Sequence, residues 1–110
     1  MNEINLDDWK KIDIRVGKIK EAVNHPNADS LVILKVDLGK EVRQLVAGLK
    51  KHYNRQDLKG KNILVLTNLK PVEIRGVKSE GMLLAAVDKS SDKVVLLAPE
   101  KDVSSGTRVE

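Results

Sequence analysis

The feature that most limits how this chain can fold is the way its apolar residues are grouped. From residue 12 onward they fall in short runs, each closed by Gly, Pro, Asn or Asp, and nothing of useful length repeats every 3.6 residues. Ile12-Asp13-Ile14-Arg15-Val16-Gly17-Lys18-Ile19 alternates with period 2, which predicts a strand with Ile12, Ile14 and Val16 on one face and Arg15 on the other. Gly17 within it suggests a bulge or bend. His25-Pro26-Asn27-Ala28-Asp29 is dense in turn formers. Residues 31–38 read as a second strand, carrying Lys35 and Asp37 on one side. Gly39-Lys40 has the residue types of a two-residue hairpin loop, and residues 41–49 return as a third strand.

Helix signals are few. Asp7 is a candidate N-cap for a short opening helix over Asp8-Trp9-Lys10-Lys11. Asn54 as cap and Gly60 as stop mark another between strands three and four. Residues 62–69 read as strand four, ended by Pro71. Residues 70–80 read as a basic loop centred on Gly76, and residues 82–87 as strand five. A further short strand over 94–97 and an edge pair, Arg108-Val109, complete the series. Three consecutive strands, a short helix and then further strands is the order of an OB-fold, a five-stranded Greek-key all-β barrel, here with short helices and additional short strands. Another small barrel or sandwich is the alternative, because strand counts do not fix topology.

At 110 residues the chain is the size of one domain, residues 1–110, and no linker or internal repeat divides it. The core must be aliphatic, since there is no Phe and only one Trp and one Tyr. The absence of Cys removes disulfides, thiolate zinc sites and cysteine nucleophiles together. No apolar run approaches the roughly 18 residues that span a bilayer. Residues 1–9 are too acidic and polar for a signal peptide, so the expected location is the cytoplasm.

Catalysis finds no support. His25 and His52 are not spaced as a metal pair, no glycine-rich phosphate loop is present, and no Ser lies in a nucleophile-elbow context. The expectation is a non-enzymatic chain with no cofactor and no metal.

Charge points elsewhere. Twenty Lys and Arg against sixteen Asp and Glu give +4, a balance suited to a polyanionic partner. The basic residues form three groups: Arg15 and Lys18; Lys50, Lys51, His52, Arg55, Lys59 and Lys61; and Lys70, Arg75 and Lys78. A solvated surface is the alternative reading of each. The shortage of aromatics argues against a single-strand binder, which stacks bases on rings. Structured RNA, read by phosphate charge and shape, needs no row of rings.

Taken in order, several segments resemble one family: Asp13-Ile14-Arg15-Val16-Gly17-Lys18-Ile19, His25-Pro26-Asn27-Ala28-Asp29-Ser30-Leu31, Val36-Asp37-Leu38-Gly39, Arg43-Gln44-Leu45-Val46-Ala47-Gly48-Leu49, Asn68-Leu69-Lys70-Pro71 and Arg75-Gly76-Val77-Lys78-Ser79-Glu80-Gly81-Met82-Leu83-Leu84-Ala85. They are similar to the tRNA-binding domain found at the C-terminus or as the beta subunit of methionyl-tRNA synthetases, in free-standing tRNA-binding proteins, in the CsaA chaperone and in endothelial-monocyte-activating polypeptide. The resemblance implies a barrel that binds the outer corner of tRNA with little sequence preference. It also implies a homodimer, since the chain ends at Glu110 without the C-terminal segment that stands in for a second subunit in the cytokine-like members. Possible partners are tRNA and the catalytic chain of a methionyl-tRNA synthetase; unfolded peptides are the partner if the chain is a CsaA-like chaperone.

The candidate RNA-binding residues are Arg15, Lys35, Asn68, Lys70, Arg75, Lys78, Ser79 and Met82. Ser79 and Met82 enter because the family's Ser-x-Gly-Met stretch lies at the RNA surface. Other roles stay open for several of them. Met82 opens an apolar strand and can pack into the core, Ser79 can cap a turn, and Asn68 can bond either RNA or backbone. His25 and Asn27 read as turn chemistry.

Overall fold

The computed structural model describes residues 2–110. In chain order its elements are α1 (Leu6–Lys10), β1 (Ile14–Asn24), β2 (Val32–Asp37), β3 (Val42–Ala47), α2 (Arg55–Leu58), β4 (Asn62–Leu66), β5 (Val72–Ile74), β6 (Val77–Ser79), β7 (Met82–Leu83), β8 (Ala85–Asp88), β9 (Lys93–Leu96) and β10 (Arg108–Val109). The first helix starts earlier than the sequence suggests. Asn5, not Asp7, is its N-cap, and the Asn5 carbonyl accepts from the Asp8 and Trp9 amides. Asp7 instead lies in the first turn, where a carboxylate favours the positive end of the helix.

The long β1 organises the barrel because it has different partners along its length. Its first half pairs with β4, from Ile14 opposite Leu66 to Lys18 opposite Asn62. Its second half pairs with β2, from Lys18 opposite Asp37 to Asn24 opposite Val32. The register shifts between Ile19 and Glu21, so the bulge falls at Lys20 and not at Gly17. Gly17 serves a different need. A Cβ there would lie 2.6 Å from Val36 Cγ1 and 2.9 Å from Leu38 Cδ2, so only glycine lets β2 pack this closely.

The main sheet runs β3-β2-β1-β4-β7, with β10 also on β1, and its two ends are brought together. The Glu80 amide donates to the Gln44 carbonyl at 2.8 Å, and the Val46 amide donates to Ser79 Oγ at 3.1 Å. Both bonds use the otherwise open edge of β3. Arg43 adds a clamp, its Nη1 donating to the Thr67 and Glu80 carbonyls. The result is the all-β, OB-type barrel that the strand order predicts, with α2 between β3 and β4.

The core is aliphatic, built from Ile19, Leu34, Val36, Leu45, Leu58, Ile63 and Val65 together with Val32, Leu38 and Leu49. Burying each such side chain contributes about 1.5–3 kcal/mol. The face of β1 that enters this core is the reverse of the one the Ile-x-Ile-x-Val pattern suggests. Residues opposite one another in a pair share a face. Arg15 stands opposite Val65, Gly17 opposite Ile63 and Ile19 opposite Val36. Ile14 and Val16 are buried as well, but on the outer side and outside the main core cluster. Later segments run beside them: the Val16 amide donates to Thr107, and the Leu64 amide to Leu97.

Two further departures matter for function. The stretch read as a basic loop is a hairpin, β5 on β6, with Arg75 and Gly76 as its two-residue turn. The stretch read as strand five is two short strands, β7 on β4 and β8 on β9. The break falls at Leu84, whose amide donates to Leu64 and whose carbonyl accepts from Leu97.

Candidate nucleic-acid interface

Of the eight candidate residues, six gather around the β5–β6 hairpin and the adjoining face of β2 and β3. Lys35 lies on the outer side of β2, directly across from Gln44 on β3. Its Nζ donates to Gln44 Oε1 at 2.7 Å, and Gln44 Nε2 donates in turn to the Lys78 carbonyl at 2.8 Å. Gln44 therefore links two of the candidate cations, one on the barrel wall and one on the hairpin. Lys70 at the base of the hairpin, Arg75 at its tip and Lys78 on β6 are all exposed. Among the described residues the close ion pairs are Lys11–Asp8, Arg15–Asp13 and Arg43–Glu41. Lys35, Lys70, Arg75 and Lys78 belong to none of them, which leaves their charge available to an anion.

The tip of the hairpin is strained. A tight turn of this kind needs positive φ at both central residues. Gly76 takes φ 87° freely, but Arg75 at φ 52° pays about 1–3 kcal/mol for a conformation that side chains avoid. Such a residue keeps its place when the surroundings hold it. The neighbouring carbonyl, of Ile74, lies 3.0 Å from Nε2 of His25, whose side chain is buried. Nδ1 of the same ring accepts from the Asn27 amide at 3.0 Å. His25 thus does more than shape its own turn.

Ser79 is 3% exposed. Its Oγ accepts from the Val46 amide and donates to the Gly81 carbonyl, both at 3.1 Å, so it supports the surface from beneath. Met82 is half exposed opposite Leu66 and does not pack into the core. It offers a flexible apolar contact at the surface of β7.

The remaining two residues lie elsewhere. Arg15 Nε donates to Asp13 Oδ1 at 2.8 Å and Nη1 to the Gly106 carbonyl at 2.9 Å. Asn68 Oδ1 accepts from the Asp13 amide, and its Nδ2 donates to the Lys11 carbonyl. Together they stitch the N-terminal segment and the C-terminal loop to the end of the barrel. Arg15 also lines a cleft of about 360 Å³ there with Asp13, Lys40, Glu41 and Arg43. The Arg43 guanidinium holds the Glu41 carboxyl below its ordinary range, and Glu41 in turn raises Arg43. The second basic group surrounds α2, which packs on β1 through the buried Leu58. Its Lys61 Nζ stands 5.8 Å from the centre of the Tyr53 ring, while the Tyr53 hydroxyl accepts from the Leu96 amide.

Sequence reasoning missed Gln44 and the wider role of His25. The first was within reach. A two-residue loop at Gly39–Lys40 fixes the register that sets Lys35 opposite Gln44.

Comparison with known proteins shows the family. The tRNA binding domain family model (tRNA_bind) matches residues 14–108. The methionine–tRNA ligases of Thermococcus kodakarensis and Pyrococcus horikoshii are 52% and 53% identical to 99% of the chain. The chain spans only 14% and 15% of their lengths. Among solved structures, a MetRS-related protein from Pyrococcus horikoshii superimposes with TM-score 0.93 at 34% identity, covering 100% of both chains. The chaperone CsaA from Bacillus anthracis superimposes with TM-score 0.89 at 31% identity, over 99% of this chain and 100% of its own. The chain belongs to the tRNA-binding domain family, and within it is similar to a segment of methionine–tRNA ligases.

Proposed function

We propose that residues 1–110 are one non-catalytic domain that grips the outer corner of folded tRNA through phosphate and shape contacts, and so adds affinity to a methionine-activating catalytic chain. The observation that carries the reading is the set of four cations outside any close ion pair, Lys35, Lys70, Arg75 and Lys78, arranged on and beside one anchored hairpin, with the exposed Met82 on the strand that follows it. Such a face meets a phosphate backbone without reading base edges. Tyr53, packed against the core, is not placed to stack bases.

A homodimer is part of the proposal. It is supported by Ile4 and Leu6, 68% and 66% exposed, and by a groove where Leu6 and Trp9 meet Ile12 and Val109, with Lys10, Arg108 and Glu110 also lining it. The proposed location is the cytoplasm; among the described residues, no helix is long and apolar enough to cross a membrane.

A titration with tRNA at several salt concentrations tests the reading. Four neutralised phosphates predict a slope of log K against log salt of about −3 to −4 per protomer, and Lys78→Ala makes it shallower by about one unit across many tRNAs alike. No binding at low salt, or binding indifferent to salt, refutes it. A chaperone role is the second reading, favoured by the match to CsaA at 31% identity but set against about 50% to the ligases. Unfolded peptide that displaced tRNA from the purified domain would favour it, and ATP-dependent methionine activation by this chain alone would overturn the non-catalytic assignment.

A further inference from the structure

We infer that His25 is a positioning residue of the RNA interface, a buried strut that fixes the Arg75 tip of the β5–β6 hairpin without itself touching RNA. The inference rests on the interface proposed above.

The hairpin is held at two levels. At its base, Ser79 Oγ accepts from Val46, Gln44 Nε2 donates to Lys78, and the Glu80 amide donates to Gln44. Near its tip the tie is His25, whose Nε2 meets the Ile74 carbonyl. The ring chemistry makes this a directional strut. Nδ1 faces the Asn27 N–H and must accept from it, so the single ring proton of neutral imidazole sits on Nε2 and donates to Ile74. The ring is anchored at its origin as well, because the His25 amide donates to the Leu31 carbonyl at 3.1 Å across the β1–β2 turn.

A hairpin of two three-residue strands is marginal by itself. One that also carries a non-glycine residue at positive φ needs outside support. With the strut in place, Arg75 meets a phosphate already ordered, and less freedom is lost on binding.

The two nitrogens can be tested separately. Asn at position 25 places an amide near the position of Nδ1, so it keeps the Asn27 bond but falls short of Ile74. Gln reaches out to the position of Nε2 and restores a donor to Ile74. With the full chain and unfractionated tRNA, His25→Asn is expected to lose about fivefold in affinity, the worth of one contact of this kind. Its hairpin amides should exchange faster, while its unfolding transition stays cooperative. His25→Gln should recover most of the affinity. Arg75→Ala, introduced into each background, should cost much less in His25→Asn than in the parent chain, because the tip is already loose.

Equal penalties for Arg75→Ala in both backgrounds overturn the inference. So does parental affinity in His25→Asn, or a His25→Gln chain as weak as His25→Asn. If Arg75→Ala costs nothing in the parent chain, the interface reading fails and takes this inference with it. A normal Arg75→Ala penalty with no effect of His25→Asn overturns the strut alone. If His25→Asn does not fold, His25→Met, which matches Gln in length but offers Ile74 no donor, takes its place in the same comparisons, and a His25→Met chain as tight as His25→Gln overturns the inference.

Discussion

Replacing Ser79 with Ala separates a side chain that touches RNA from one that supports the surface. Ser79 is 3% exposed, and its hydroxyl makes two bonds. Its Oγ accepts the Val46 amide at the edge of β3, and its proton goes to the Gly81 carbonyl. Alanine removes both. The amide is the costly loss, because an orphaned buried donor costs about 1–3 kcal/mol, while a carbonyl tolerates a missing partner better. The net destabilisation is expected near 2 kcal/mol, a drop in Tm of about 8 °C for a domain of this size. Urea unfolding followed by circular dichroism measures the loss of stability, and a tRNA titration on the same preparation measures the change in affinity. Below the melting transition, affinity is expected to fall only modestly, and the salt slope to stay unchanged, since no cation is lost. Parental stability combined with a large loss of tRNA affinity would refute the argument and place Ser79 in direct contact with RNA.

Gly17→Ala is expected to destabilise the barrel by about 2–3 kcal/mol, measured by the same unfolding assay. The new methyl would stand 2.6 Å from Val36 and 2.9 Å from Leu38, two buried side chains with little room to move. Acid stability gives an independent check on the barrel end. Glu41 titrates below its ordinary value of 4.5 because Arg43 hydrogen-bonds its charged form. A depressed carboxylate stabilises the fold fully above pH 4.5, and that contribution disappears as pH falls through the lower folded value. Glu41→Gln should therefore flatten the pH dependence of unfolding below pH 4.5 and leave its shape unchanged near neutrality.

Much of the fold was legible because its signals are local. Period-2 alternation marked β1, short runs bounded by turn residues marked β2 to β4, the Gly39–Lys40 pair marked the hairpin between β2 and β3, and the lack of Phe required an aliphatic core. The short reach of such signals also explains what was misread. The Ile-x-Ile-x-Val pattern of β1 is real, but both faces of that strand are covered, so alternation alone does not show which one enters the barrel. The β5–β6 hairpin escaped notice because its strands are three residues long and its turn places Arg where turn chemistry favours Asn or Gly.

For the candidate site, the sequence by itself determined which residues carry charge and, through an ordered set of motifs, which family they resemble. Only the tertiary structure decided what each residue bonds to. Arg15 and Asn68 are drawn into bonds with Asp13, Gly106 and Lys11, whereas Lys35 and Lys78 are joined through Gln44. Ser79 lies beneath the surface and His25 reaches across to Ile74. These bonds close between residues that are far apart in sequence, so they exist only once the barrel has brought its distant edges together. Among the described residues Lys35, Lys70, Arg75 and Lys78 stand outside the close ion pairs, so their charge stays available to an anion.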